Sequence, residues 1–91
     1  MKHATAAALD RLEPLLAELR AQAPLKEKSR GTFYLRGRAF LHFHEHGSEL
    51  FADVRLKDGF DRFPATTPSE RADLMKKIAV ALTATPAQSR P

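Results

Sequence analysis

Two runs of alternating apolar and polar side chains lie between Thr32 and Leu56, TFYLRGRAFLHFHEHGSELFADVRL, and no other feature restricts the fold as strongly. In Ala39–Glu45, Ala39, Leu41 and Phe43 fall on one side and Phe40, His42 and His44 on the other. In Leu50–Leu56 the apolar set is Leu50, Ala52, Val54 and Leu56, opposed by Phe51, Asp53 and Arg55. A period of two belongs to strands with one buried face. Between the runs, His46-Gly47-Ser48-Glu49 carries hairpin chemistry. A turn there sets Leu41 opposite Val54, Phe43 opposite Ala52 and Glu45 opposite Leu50. On the other face His44 meets Phe51, His42 meets Asp53 and Phe40 meets Arg55. A slip of one residue would drive Ala52 and Val54 onto the polar face, so burial enforces this register.

Upstream, Leu9, Leu12, Leu16 and Leu19 recur at helical spacing, which predicts a helix over residues 4–22. Pro14 lacks an N–H and crowds the preceding turn, so it kinks that helix or restarts it at Glu13-Pro14; the unbroken leucine phase favours one kinked element. Ala23-Pro24 ends it. Leu25–Gly31 reads as a basic connection, and Thr32–Arg36 as the first strand, with Arg36-Gly37-Arg38 turning into the second. A three-residue loop there places Phe33 and Leu35 on the core face and Tyr34 beside Phe40. A two-residue turn would expose Leu35, so burial favours the longer loop, while turn chemistry leaves the choice open.

Downstream, Asp58-Gly59 is a hairpin signal. It leads to a short fourth strand, Phe60–Ala65, with Phe63 beside Val54 and Pro64 marking a sheet edge. Thr67-Pro68-Ser69-Glu70 spells a capping box with proline at the first helical position. The helix it opens runs to about Thr83, with Leu74, Ile78 and Leu82 facing inward. The expected fold is α+β, in the order α-β-β-β-β-α: a four-stranded antiparallel meander with both helices on one face. It forms a single domain over residues 1–84, and Thr85–Pro91 is a disordered tail.

Ninety-one residues suit one domain, which buries about 60–65% of its surface. With no cysteine, disulfides, zinc–thiolate sites and thiol nucleophiles are excluded. No apolar run approaches the ~20 residues of a membrane span and no secretory leader is visible, so the expectation is a cytoplasmic protein with no membrane partner. The net charge of +4 is concentrated, because Lys26, Lys28, Arg30, Arg36 and Arg38 face Glu27 alone within residues 26–38. Such a cluster attracts phosphates, although a charge run also serves as ordinary solvated surface.

The open sheet face gathers the candidate functional residues. Tyr34, Phe40 and Phe51 beside Arg36, Arg38 and Arg55 combine stacking surfaces with cations, as sheet-based nucleic-acid binders do. An exposed aromatic face also suits a homodimer. His42 and His44, two apart on a strand, point the same way, and Asp53 neighbours His42; two imidazoles and a carboxylate form a donor set for zinc or a similar ion. Equally, such histidines pack against aromatic neighbours with Asp53 as a hydrogen-bond partner. His42 and Asp53 resemble a base and its orienting group, but Ser48 lies in a turn and Ser29, Ser69 and Ser89 lie elsewhere, so no catalytic nucleophile is assigned.

Residues 33–40, FYLRGRAF, resemble the strand–turn–strand signature of the MmcQ/YjbR-like family, where an aromatic strand runs into an Arg/Lys-Gly-Lys-x-Phe turn. Arg38 stands where that family usually has lysine. The resemblance implies a hairpin here and, since the family has been proposed to bind DNA, a DNA-binding role. FLHFHE and FDRFPATTPSER look more like small uncharacterised bacterial proteins. The expected function is a non-enzymatic binding module with nucleic acid as the favoured ligand and no cofactor; a homodimeric interaction domain and a His-x-His metal site are the alternatives.

Overall fold

Turn geometry decides the centre of the molecule. Gly47 takes a φ of 62°, the left-handed conformation that two-residue hairpin turns demand, and His46 pairs with Glu49 across it. In the computed structural model, which describes residues 1–84, this turn joins β4 (Arg38–His46) to β5 (Glu49–Arg55). The pairing follows the alternation: Leu41 with Val54, His42 with Asp53, Phe43 with Ala52, His44 with Phe51 and Glu45 with Leu50. Leu41, Phe43, Leu50, Ala52 and Val54 are buried on one face.

Before β4 comes β3 (Thr32–Leu35), and the hairpin between them corrects the expected loop. Leu35 pairs with Arg38, so the turn has two residues, Arg36 and Gly37. Both have positive φ, 52° and 81°, the primed turn whose twist matches that of the flanking strands. The cost anticipated for Leu35 is moderated by a bulge. Phe33 pairs with Leu41 and Tyr34 with Ala39, which leaves Phe40 as the extra residue. A bulge re-aims side chains, and Phe40 and Leu41 are both buried while Leu35 is half-buried. The placement of Phe40 on the open face opposite Arg55 is therefore corrected: Phe40 belongs to the core.

The sheet is six-stranded rather than four-stranded. The supposed basic connection is β2 (Leu25–Ser29), which pairs with β3 and buries Leu25 while its lysines face outward. Alternation there is carried by lysine and glutamate, so it escapes a reading based on apolar period. A two-residue β1 (Lys2–His3) pairs with the far half of β4, opposite Glu45 and His44. On the other side, β6 (Phe60–Pro64) lies beside β5 with Arg55 opposite Phe60, so a four-residue loop connects them. Phe63 therefore neighbours Ala52, and Val54 faces Asp61, which corrects the expected partner of Phe63.

Among the described residues three helices complete the α+β fold, and β1 precedes them all. The expected single kinked helix is two: α1 (Ala6–Arg11), capped by Thr5, and α2 (Glu13–Arg20), with the break at Leu12 and Pro14 in the first turn of α2. A missing donor costs nothing there. Leu12, Leu15, Leu16 and Leu19 are buried, and Leu9 is partly buried. The last helix, α3 (Pro68–Ala84), opens on the expected reciprocal cap. Thr67 Oγ1 accepts from the Glu70 amide at 3.1 Å, and Glu70 Oε1 accepts from the Thr67 amide at 3.1 Å. Leu74, Ile78 and Leu82 join the helical leucines and the inner sheet residues in one core cluster. Gly31, at φ 81°, passes so close to α1 that a Cβ would stand 2.7 Å from a Leu9 methyl. No helix among the described residues is long and apolar enough to cross a membrane; the tail at residues 85–91 lies outside them.

Candidate functional site

Positive charge without a counter-charge gathers at one end of the sheet. Among the described residues, several arginines elsewhere are neutralised by carboxylates, Arg20 by Glu13 and Glu27, Arg30 by Asp10 and Glu13, and Arg62 by Asp53, while Arg11 and Arg71 donate to backbone carbonyls. Among the described residues, Lys26, Lys28, Arg36, Arg38 and Lys57 have no ion pair. Arg36, Arg38, Arg55 and Lys57 surround a groove with Leu35, Ala39, Phe40, Leu56 and Ala81 in its walls, and no acidic side chain lines it. A second concavity is formed by Pro24, Lys26, Lys28, Tyr34, Arg36 and Gly37. The Arg36-Gly37 turn puts Arg36 in both. Lys26 lies across from Tyr34, and the Lys28 ammonium sits 5.0 Å from the Tyr34 ring centre, a favourable cation–π arrangement.

Arg55 is held in place rather than free to swing. Its Nε donates to the Ala39 carbonyl at 2.9 Å and its Nη1 to the Asp58 carbonyl at 3.1 Å. Its guanidinium lies 4.5 Å over the Phe60 ring.

The open face beyond this end is occupied by imidazoles and one buried carboxylate. Asp53 is only 7% exposed, and it is satisfied by Arg62, which donates from Nε at 2.7 Å and from Nη2 at 2.9 Å. This fork is the strong geometry for a guanidinium–carboxylate pair. The Arg62 guanidinium holds the Asp53 carboxyl below its ordinary range, against the opposing effect of burial. His44 Nε2 lies 3.1 Å from Asp53 Oδ2 and 3.0 Å from His42 Nδ1. Burial pushes the His42 imidazole below its usual value, although Asp53 acts the other way. His3, delivered by β1, stacks on His44 with ring centres 4.6 Å apart.

The sequence-derived sites are thus partly reassembled. Arg36, Arg38 and Arg55 come together, Tyr34 lies on the adjoining concavity, and Phe51 is half-buried between His44 and Pro64. Phe40 lines a groove wall but is 97% enclosed in the core, so it offers no free stacking face. His42, His44 and Asp53 do converge, although it is His44 whose ring nitrogen meets the carboxylate. Sequence reasoning grouped Lys26 and Lys28 with the basic turn by charge without placing them on the binding face, and it missed Lys57, Arg62 as the partner of Asp53, and His3. Arg62 was findable, because a strand after Asp58-Gly59 places it two strands from His42. No periodicity marked His3. Comparisons with protein-family models, curated proteins and solved structures find no match.

Proposed function

We propose that the protein is a small non-enzymatic binding module whose basic sheet end takes single-stranded nucleic acid. The observation that carries this reading is the pair of adjoining concavities joined by Arg36, which between them hold six cations and no acidic wall residue. Cations supply phosphate contacts, and Tyr34 supplies a ring for a base, worth ~1–3 kcal/mol per stacked base. Arg55, fixed by two carbonyls, is pre-organised and loses little freedom on binding. The ion pair with Arg62 offsets part of the repulsion that Asp53 would exert on a polyanion bound at the neighbouring face. The resemblance of residues 33–40 to a family proposed to bind DNA points the same way.

Fluorescence anisotropy with short labelled oligonucleotides over a salt series tests this. Each phosphate neutralised on a single strand contributes about 0.7 to the slope of log affinity against log salt. Replacing Arg36 and Arg38 together by glutamine should therefore flatten the slope by about 1.4. Tyr34→Ala should weaken binding and leave the slope unchanged. Absence of binding by the wild type at low salt, where attraction is strongest, ends the reading. If Phe51→Ser converts a dimer to a monomer while oligonucleotide affinity is absent, the open face is a self-association surface instead.

A further inference from the structure

The histidine cluster contributes no residue to the basic grooves, and its internal chemistry is unresolved by the protein alone. Ligating atoms of His3, His42 and His44 all lie within 4.8 Å of one another. His44 Nε2 is the meeting point, 3.0 Å from His42 Nδ1 and 3.1 Å from Asp53 Oδ2. A ring nitrogen carries at most one proton. Present, that proton can be directed at Asp53 or at His42 but not fully at both; absent, its place is taken by a lone pair facing a carboxylate. On the far side of the same ring, His44 Nδ1 is buried with no hydrogen-bond partner. Three imidazoles brought together from two strands, with one such conflict and one unsatisfied nitrogen, form a costly arrangement for a purely structural surface.

A cation removes the conflict. Zinc bonds imidazole nitrogen at about 2.0–2.1 Å in tetrahedral sites, which separates neighbouring donors by about 3.3 Å. The 3.0 Å spacing of His42 Nδ1 and His44 Nε2 is close to that edge, and the His3 donor lies within 4.8 Å of both. Nitrogen-rich donor sets select zinc-class ions over magnesium and calcium, which prefer oxygen. We propose that His3, His42 and His44 form a binding site for a zinc-class divalent ion. Asp53, fixed by Arg62, is the adjoining carboxylate that balances its charge. Two ligands come from β4, the most thoroughly paired strand, and the third from the two-residue β1. Binding therefore ties the N-terminal strand to the centre of the sheet.

The test is zinc titration of the full chain against a chromophoric chelator at about pH 7.5, where imidazole is largely neutral. The wild type should take up one equivalent, and magnesium or calcium should not compete. His44→Gln and His42→Gln should abolish this binding, His3→Gln should weaken it, and Asp53→Asn should weaken it about 10–100-fold as a loss of outer-sphere support does. His46→Gln, a histidine outside the cluster, should bind as the wild type does. His3 is exposed on a two-residue strand, so its variant also serves if the buried variants unfold. In the wild type, zinc should slow hydrogen exchange of the Ala4 amide, which donates to the Phe43 carbonyl at 3.1 Å. Zinc uptake equal in the wild type and His3→Gln, or lost equally in His46→Gln, overturns the site, as does a wild type that takes up no zinc.

Discussion

Phe40→Ala measures the bulge directly. On simple alternation Phe40 would stand on the open face, and its truncation would cost little. In the structure it is 3% exposed and belongs to the core. A phenylalanine buries ~150–250 Å², of which about 150 Å² is lost on reduction to a methyl group. At ~25 cal/mol per Å² this amounts to about 4 kcal/mol, inside the ~3–5 kcal/mol typical of such changes. Because Phe40 also borders the basic groove, water can enter the vacated volume, which places the expectation at the lower end, ~3 kcal/mol. Each kcal/mol lowers the melting temperature of a domain this size by about 4–8 °C, so the variant should melt roughly 12–24 °C below wild type. The paired control is Phe51→Ala, half-buried on the open face, expected to cost ~1 kcal/mol. Urea denaturation followed by circular dichroism reads both. A Phe40 variant no less stable than the Phe51 variant would refute the bulge and return Phe40 to the open face.

Two further outcomes follow from local geometry. Thr67→Ala removes the acceptor for the Glu70 amide and should destabilise the protein by ~1 kcal/mol in the same denaturation assay; no change would mean that water replaces the cap. Arg30 and then Arg20 hold Glu13, and Arg20 holds Glu27, below the ordinary glutamate value. Carboxyls lowered by folding add stability above their unfolded values and lose it as pH falls through the lowered folded ones, so the melting temperature should drop from about pH 5 to about pH 3. Arg20→Gln should make that drop shallower; identical profiles for both proteins would assign the acid sensitivity to other carboxylates.

Legibility in the sequence tracked the strength of local chemistry. The β4–β5 register was readable because Leu41, Phe43, Ala52 and Val54 permit only one pairing that buries them all. The capping box at Thr67 was readable because four adjacent residues specify it. Strand β2 was not, since Lys26, Glu27 and Lys28 carry no apolar period and only pairing with β3 makes them a strand. The first hairpin required weighing two local demands against each other. Leu35 burial argued for three loop residues, Arg36-Gly37 dihedrals for two, and the bulge at Phe40 reconciles them at a position no alternation rule marks. Of the histidine cluster, the pair on β4 was visible from spacing. Its third member depends on a two-residue strand formed entirely by long-range contact, which no local signal announces.

From β2 to β6 every neighbour in the sheet is also the next strand in the chain, whereas β1 pairs with β4 across the intervening helices and strands, Lys2 with Glu45 and His3 with His44. Nearest-neighbour hairpins close short loops and form early; distant pairings follow once loop-closure entropy has been met. The consequence is an order of assembly. The five-strand meander can close by successive hairpins, and the N-terminal strand docks afterward onto the exposed half of β4, held by the Ala4–Phe43 bond and the Thr5 amide to Glu45 at 2.6 Å. Strand β1, though synthesised before the meander it joins, is then the last element to find its place and the first to let go.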